Sequence, residues 1–232
     1  MAKGIWSIML ALVLAACGSD VPAENAAGTA SGTNAAEAAG VPVMGPQRTI
    51  LAFGDSLFAG YNVAKDDSYP VKLQAALRAR GVNAEVVNAG ISGDTSAAGL
   101  QRLKFTLDAQ AEAPDLFILE LGGNDLLRGI SPDQTRANLA AMLGELMARQ
   151  IPVLIMGMRA PPNYGPEYQA QFDTLYADLA KEYGAALIPF WLEAIYQDPA
   201  LFQADRIHPT EEGIEQLVGA TVGQVAKALP EE

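Results

Sequence analysis

Five short apolar runs follow residue 47 and are separated by longer segments rich in polar residues. They occupy residues 49–53, 84–87, 116–121, 153–158 and 186–188. The central runs are apolar almost throughout, which is typical of strands in a parallel sheet that is covered on both faces. The pattern therefore predicts five buried, parallel strands.

Apolar residues between these runs recur at intervals of three and four, as they do on one face of an α-helix. One stripe comprises Leu139, Met142, Leu143, Leu146 and Met147; a second comprises Tyr168, Phe172, Leu175, Tyr176, Leu179 and Tyr183; a third, after Pro209, comprises Ile214, Leu217, Val218 and Val225. We interpret the methionines and tyrosines as core residues. The alternation of strands and helices predicts a doubly wound α/β fold, whose site lies at the carboxyl ends of the strands.

The charge balance excludes some partners. The chain has 27 Asp and Glu residues against 15 Lys and Arg residues, a formal net charge of −12. Binding to nucleic acid and adsorption to anionic lipid both need clustered cations, so neither is expected. With one histidine and one cysteine, the chain has no intrachain disulfide, and a metal would have only carboxylates as further ligands. We therefore expect neither a metal site nor a cofactor.

Residues 1–17 differ from the rest of the chain. Lys3 precedes an apolar stretch at residues 5–13, and Leu14-Ala15-Ala16-Cys17 follows it. A stretch this short does not span a bilayer, which takes roughly 20 apolar residues. The segment resembles a bacterial lipoprotein signal with lipid attached at Cys17, and Gly18 in the next position favours the outer membrane, facing the periplasm. An ordinary secretory signal is the alternative.

Residues 18–46 are rich in Ala, Gly, Ser, Thr and Asn and contain few large apolar side chains. Such a segment cannot bury enough surface to offset the entropy of an ordered chain, so we interpret it as a flexible tether. Residues 47–232 then form one domain of ordinary size. Apart from the N-terminal lipid anchor, no contact with a membrane is expected.

The only histidine, His208, lies in the segment Asp205-Arg206-Ile207-His208-Pro209. Imidazole has an unperturbed pKa of about 6.5, which suits a general base near neutral pH. Ser56 follows the first apolar run in Gly54-Asp55-Ser56-Leu57 and completes a candidate Ser-His-Asp triad. Two structural roles stay open: Asp205 and His208 at the start of the last helix, and Ser56 as a helix cap.

Two further blocks follow predicted strands, Asn88-Ala89-Gly90-Ile91-Ser92-Gly93-Asp94-Thr95-Ser96 and Leu121-Gly122-Gly123-Asn124-Asp125. Glycines let backbone N–H groups approach a ligand closely, and Asn124 carries side-chain N–H donors; both suit a developing oxyanion. A plain glycine-rich turn and a turn-forming asparagine are the structural alternatives. Because Phe58 replaces the second glycine of Gly-x-Ser-x-Gly, the nucleophile elbow of the standard α/β-hydrolases is absent.

These four blocks, in this order, resemble the GDSL or SGNH hydrolase family, and most closely its bacterial thioesterase I, protease I, lysophospholipase and arylesterase group. The resemblance implies a three-layer α/β/α, flavodoxin-like fold with a five-stranded sheet. It also implies that Ser56 is the nucleophile, His208 the base and Asp205 its orienting acid. The backbone N–H groups of Ser56 and Gly93 and the side chain of Asn124 would form the oxyanion hole.

The resemblance further places a substrate-binding loop at Arg159-Ala160-Pro161-Pro162-Asn163-Tyr164-Gly165, from which we expect Arg159, Pro161, Asn163 and Tyr164 to contact substrate. Phe58 and Arg206 depart from the usual residues of the group, which affects the shape of the substrate groove, and we expect Phe58 to contact substrate as well. Glu120, inside an apolar run, is unexplained: it is either paired at an edge of the sheet or tuned near the site.

The resulting prediction is a secreted, monomeric serine esterase that acts on small acyl esters, thioesters or lipids. An O-deacetylase of polysaccharide or peptidoglycan is an alternative within the same class. A surface lipoprotein that keeps the fold without catalysis is the alternative from another class.

Overall fold

The computed structural model describes residue 43 and residues 45–231, and its sheet has five strands. The strands are β1 (Arg48–Gly54), β2 (Ala84–Gly90), β3 (Leu116–Glu120), β4 (Val153–Met156) and β5 (Ala186–Ile188). All neighbours are parallel, in the order β2-β1-β3-β4-β5. This is the strand order of flavodoxin-like sheets, and it confirms the predicted fold class.

Helices connect the strands, as crossovers between parallel strands require. They are α1 (Ser56–Ala59), α2 (Tyr69–Ala79), α3 (Ser96–Asp108), α4 (Gly123–Leu127), α5 (Pro132–Ala148), α6 (Pro166–Tyr183) and α7 (Glu211–Ala228). Short 3₁₀ helices lie at Lys65–Asp67, Pro162–Tyr164 and Pro199–Leu201. Helix α2 packs against α7, while α3 and α6 each pack against α5.

The core lies where the apolar runs predict it. Strand β3, in the centre of the sheet, is buried at all five positions. The predicted helical stripes belong to α5, α6 and α7, and most of their members are buried. Tyr168 and Tyr183 are partly buried against the core. Met147, near the end of α5, is 59% exposed, so the prediction that it is a core residue is wrong.

Two strands end two or more residues away from their predicted ends. Strand β2 continues to Gly90, because it pairs with β1 along seven residues, from Arg48 opposite Ala84 to Gly54 opposite Gly90. Strand β4 ends at Met156, and the Gly157 N–H donates to the Ile188 carbonyl as the chain turns. Register with a neighbouring strand sets both ends, and local apolarity does not encode it.

The predicted signal at residues 1–17, with Cys17, and all of the predicted tether except residues 43, 45 and 46 lie outside the described residues. Among the residues that are described, no helix is long and apolar enough to cross a membrane.

Candidate active site

Ser56 lies where β1 gives way to α1, at the carboxyl end of a central strand. The helix cap in this turn is Asp55, whose Oδ1 accepts a hydrogen bond from the Leu57 N–H at 3.0 Å. Helix α1 lies very close to Gly90 of β2, since a Cβ atom at Gly90 would be 2.5 Å from the Ala59 nitrogen. Because Asp55 takes the capping role, the Ser56 hydroxyl is available for other contacts.

The histidine loop, residues 202–209, presents the acid and the base. Phe202 and Pro209 form an antiparallel bridge at its base. Asp205 Oδ1 accepts hydrogen bonds from the backbone N–H groups of Ile207 and His208, at 2.9 and 3.0 Å, which holds the loop in a tight turn. Helix α7 begins at Glu211 and is capped by Thr210, so Asp205 and His208 do not open it.

Ser56, His208 and Asp205 form one hydrogen-bonded chain. The distance from His208 Nε2 to Ser56 Oγ is 2.8 Å, and the distance from His208 Nδ1 to Asp205 Oδ2 is 2.7 Å. Partial burial acts to raise the pKa of Asp205, but the hydrogen bonds from the His208 ring and from the His208 and Ile207 amides lower it to about 2. Asp205 is therefore ionised near neutral pH and can orient the imidazole with its proton on Nδ1.

The residues predicted to supply the oxyanion donors, Ser56, Gly93 and Asn124, all line one cavity. Gly93 has a φ of +85°, a conformation that favours glycine. The Asn124 side-chain nitrogen donates to Asp55 Oδ2 at 2.9 Å and to the Asp94 carbonyl at 3.0 Å. Both amide protons of Asn124 thus already have acceptors in the protein. A substrate oxyanion would therefore have to share one of these protons with Asp55 or with the Asp94 carbonyl.

Two buried carboxyl groups lie beneath this site. Glu120 ends β3 with no exposed surface, and its Oε2 accepts the Asp55 N–H at 3.2 Å. Burial, followed by the charge of Asp55, raises the pKa of Glu120 well above its usual range. Burial also raises the pKa of Asp55 to about 6, against the hydrogen bonds from Leu57 and Asn124. Glu120 is therefore a site-proximal group on the central strand rather than a paired residue at the sheet edge.

Two arginines contact the Gly93 loop, residues 91–95. Arg102 Nε lies 2.6 Å from Asp94 Oδ2, and the same guanidinium donates to the Gly54 carbonyl at 3.0 Å. Arg128 donates to the Gly93 carbonyl at 2.8 Å. These contacts tie the loop to β1 and to the residue that follows α4. Sequence reasoning missed them because no local pattern marks residues that meet only after folding.

A second support joins α3 to α4. The Asp125 carboxylate, fully buried, accepts hydrogen bonds from the Ser96 N–H at 2.7 Å and from the Thr135 hydroxyl at 3.1 Å. The Ser96 hydroxyl also donates to Asp125 and accepts from Asn138. This network fixes the turn that carries Asn124 relative to the start of α3.

The cavity at this site has a volume of about 610 Å³, within the range of small-molecule sites. Ser56 and His208 line this cavity, and Asp205 contacts the His208 ring without lining the cavity itself. Most of its remaining wall is apolar: Leu57, Tyr61, Leu126, Leu127, Met158, Leu192, Tyr196, Pro199, Phe202 and Ile207. Except for Ile207 in the histidine block and Leu57 and Tyr61 beside the serine, none of these apolar residues lies in a recognised motif.

Phe58 is not a cavity residue, contrary to the sequence-based expectation. Its side chain is fully buried, stacked on Tyr69 with ring centroids 5.3 Å apart and edge-on to Trp191 at 5.7 Å. Successive residues of a helix are about 100° apart, so a residue two positions after Ser56 faces almost the opposite way. Phe58 therefore anchors α1 to the core instead of contacting substrate.

The predicted substrate loop lies beside the cavity rather than in its wall. Arg159 pairs with Glu193 at 3.1 Å and lies over the Phe190 ring, while Pro161 and Asn163 do not reach the cavity lining. The Tyr164 hydroxyl donates to the Leu126 carbonyl at 2.9 Å. Direct substrate contacts from these four residues are thus not supported. Tyr164 instead stabilises the backbone of Leu126, a residue of α4 that lines the cavity.

No group of three or more Asp, Glu, His or Cys side chains arranged to hold a metal occurs in the described part of the chain.

A parallel sheet with an acid-histidine-serine chain at its carboxyl edge, opening into an apolar cavity, defines a serine-hydrolase type of site. Residues 52–215 match the GDSL-like Lipase/Acylhydrolase family. The chain belongs to this family, also known as the SGNH hydrolases, and is an esterase, a carboxylic ester hydrolase. This confirms the family resemblance seen in the sequence and disfavours a non-catalytic lipoprotein.

Three relatives illustrate the match. Esterase TesA of Pseudomonas aeruginosa is 43% identical over 162 residues, which cover 70% of this chain and 80% of TesA. Thioesterase 1/protease 1/lysophospholipase L1 of Escherichia coli is 41% identical over 164 residues, 71% of this chain and 76% of its own. AlinE4, a SGNH-hydrolase family esterase, is 60% identical in sequence to this chain. Its crystal structure matches with a TM-score of 0.69, and the match covers 81% of this chain and all of AlinE4.

Proposed function

We propose that this esterase hydrolyses acyl esters and thioesters through Ser56, His208 and Asp205, with the backbone N–H groups of Ser56 and Gly93 and the Asn124 side chain as oxyanion donors. The observation that carries the proposal is the 2.8 Å contact between His208 Nε2 and Ser56 Oγ in the wall of a largely apolar cavity. The names of two relatives, a thioesterase/lysophospholipase and an esterase, point to the same substrates.

In the proposed reaction, Ser56 Oγ attacks the acyl carbonyl carbon while His208 Nε2 accepts the hydroxyl proton. The carbonyl electron pair becomes an oxyanion, which the proposed donors stabilise. Collapse of this intermediate expels the alcohol or thiol, which takes the proton from the imidazolium and leaves an acyl-serine. Water then repeats the sequence, releasing the carboxylic acid and restoring Ser56.

The apolar cavity wall favours a longer acyl chain over an acetyl group, since burying each additional CH₂ is worth about 0.8 kcal/mol. We expect kcat/KM to rise along a series of p-nitrophenyl esters as the acyl chain lengthens from two carbons, until the chain fills the cavity. Acetate release from acetylated saccharides, assayed in parallel, should be slow. A preference for the acetylated saccharide over every longer ester would instead support the deacetylase alternative.

Acid should inactivate the enzyme, because protonated His208 cannot accept the proton of Ser56. Asp205 will stay ionised over this range, since its pKa is lowered to about 2, so its own titration does not cause the loss. We therefore expect kcat/KM for a p-nitrophenyl ester to decline as the pH is lowered from 8 to 4. The released nitrophenol should be quantified after adjusting each sample to alkaline pH, and a rate unchanged down to pH 4 would contradict the assignment of His208.

We also propose that Cys17 carries a lipid and that residues 18–46 tether the domain to a bacterial outer membrane on its periplasmic side. The proposal is supported by the sequence pattern of residues 1–17 and by the single cysteine of the chain. A monomeric enzyme with no cofactor is part of the same proposal.

A further inference from the structure

Gln203 joins two segments that are far apart in the chain and meet at the active site. One is the nucleophile turn, residues 54–61, which carries Ser56; the other is the histidine loop. The Gln203 side-chain nitrogen donates to the Tyr61 carbonyl at 2.8 Å and to the Pro209 carbonyl at 2.9 Å. Both protons of this one amide are therefore used, one on each segment.

The backbone of Gln203 also closes the histidine loop. Its N–H donates to the His208 carbonyl at 2.7 Å, and its carbonyl accepts the Arg206 N–H at 2.9 Å. Arg206 has a φ of +61°, which is uncommon for a residue other than glycine. These bonds hold the turn in which Asp205 faces the imidazole. Gln203 therefore stabilises the histidine loop as well as linking it to the nucleophile turn.

The bond to Tyr61 has a direct consequence for the nucleophile and the base. The Tyr61 N–H donates to the Ser56 carbonyl at 3.2 Å, so the Tyr61 backbone belongs to the turn that positions the serine. The Tyr61 ring lies against the imidazole, with ring centroids 4.2 Å apart and planes 31° apart. A displacement of Tyr61 relative to the histidine loop would alter both contacts at once.

We propose that Gln203 is a positioning residue of this esterase, and that its side-chain amide sets the separation between Ser56 Oγ and His208 Nε2. It does so by linking the nucleophile turn to the histidine loop, without contacting the reacting atoms. The inference rests on the proposed roles of Ser56 and His208. Proton transfer depends steeply on distance, and a misplacement of 1 Å can cost about 10²-fold in rate.

The test is Gln203→Met, which keeps the length of the side chain but removes both donors. We expect kcat for a p-nitrophenyl ester to fall by about 10- to 100-fold while KM stays within about twofold, as when an interaction needed only for the chemical step is lost. The protein has a single histidine, so its imidazole proton signals are unique in an NMR spectrum. At fixed pH these signals should broaden or shift in the variant as the ring becomes less well held.

Gln110→Met is the matched control. The Gln110 side chain donates to the Thr106 carbonyl at 2.9 Å just after α3, near the amino ends of the strands and away from the site. This variant should keep the wild-type kcat and imidazole signals. If Gln203→Met does not fold, Gln203→Glu provides the same test, because it keeps the shape of glutamine and places carboxylate oxygens against two carbonyls.

Two results would overturn the inference: a folded Gln203 variant with the wild-type kcat, or one that raises KM alone, which would indicate a substrate contact. A failure of the proposed function looks different. In that case the wild-type enzyme hydrolyses no ester, or activity survives the loss of the Ser56 hydroxyl, whatever residue stands at 203.

Discussion

Replacing Ser56 with alanine should reduce the hydrolysis of a p-nitrophenyl ester by a factor of about 10⁴ or more. The substitution removes the atom that lies 2.8 Å from His208 Nε2, and with it the acyl-serine intermediate. The fold should be unaffected, since Asp55 rather than Ser56 caps α1. Initial rates, together with a thermal unfolding curve followed by circular dichroism, measure both expectations.

A fluorophosphonate probe makes the Ser56 experiment specific. The wild-type protein should react with the probe and Ser56→Ala should not. Ser131→Ala is the control, because Ser131 caps α5 and does not line the cavity, so that variant should be labelled like the wild type. Full esterase activity or full labelling of Ser56→Ala would show that the nucleophile lies elsewhere.

Replacing Asn124 with alanine should lower kcat by about 10²- to 10³-fold, the usual effect of losing one oxyanion donor. It should also lower the free energy of unfolding by about 1–3 kcal/mol, because Asp55 Oδ2 loses the amide partner now 2.9 Å away in a buried setting. Steady-state kinetics gives the first quantity and urea unfolding the second.

Asn83→Ala is a suitable control for Asn124. The Asn83 amide donates to the Gly45 carbonyl at the amino ends of the strands, whereas the site lies at their carboxyl ends. This variant should retain the wild-type kcat. If Asn124→Ala loses stability but keeps kcat within about twofold of the wild type, Asn124 supports Asp55 only, and the assignment of an oxyanion donor is wrong.

The buried carboxyl groups under the site have an energetic cost. Since the pKa of Asp55 is raised from 3.8 to about 6 in the folded protein, the folded state binds more protons than the unfolded state between these values. The contribution of this group to the free energy of unfolding therefore falls as the pH rises through that interval. Glu120 acts in the same direction. Costs of this kind are expected where residues serve a site rather than the fold.

Much of the fold could be predicted from the sequence, because buried elements show a characteristic spacing of apolar residues. Strand β3 is apolar over consecutive residues, and the stripe in α6 repeats every three or four residues, so each pattern identifies the element and its buried face. The ends of β2 and β4 could not be predicted in this way. They depend on hydrogen bonds to β1 and β5, which are distant in sequence.

The residues of the proposed triad could be identified for a similar reason. A lone histidine three residues after Asp205, and a serine at the end of an apolar run, are visible as local patterns. The residues that line the cavity were predicted less well. Phe58 lies next to the nucleophile in sequence but faces the core, whereas Tyr196 and Phe202 line the cavity without any motif to mark them.

By itself, the sequence determined the class of fold, the order of its elements and the candidates for the reactive side chains, because these depend on the periodicity and chemistry of neighbouring residues. Only the tertiary structure decided how those side chains are held: the place of Glu120 beneath Asp55, the arginines on the Gly93 loop and the link from Gln203 to Tyr61. The bonds from Asp55 to Glu120, from Arg128 to Gly93 and from Gln203 to Tyr61 each join residues more than thirty positions apart. The chain topology brings such residues into contact, and no pattern in the local sequence predicts these contacts.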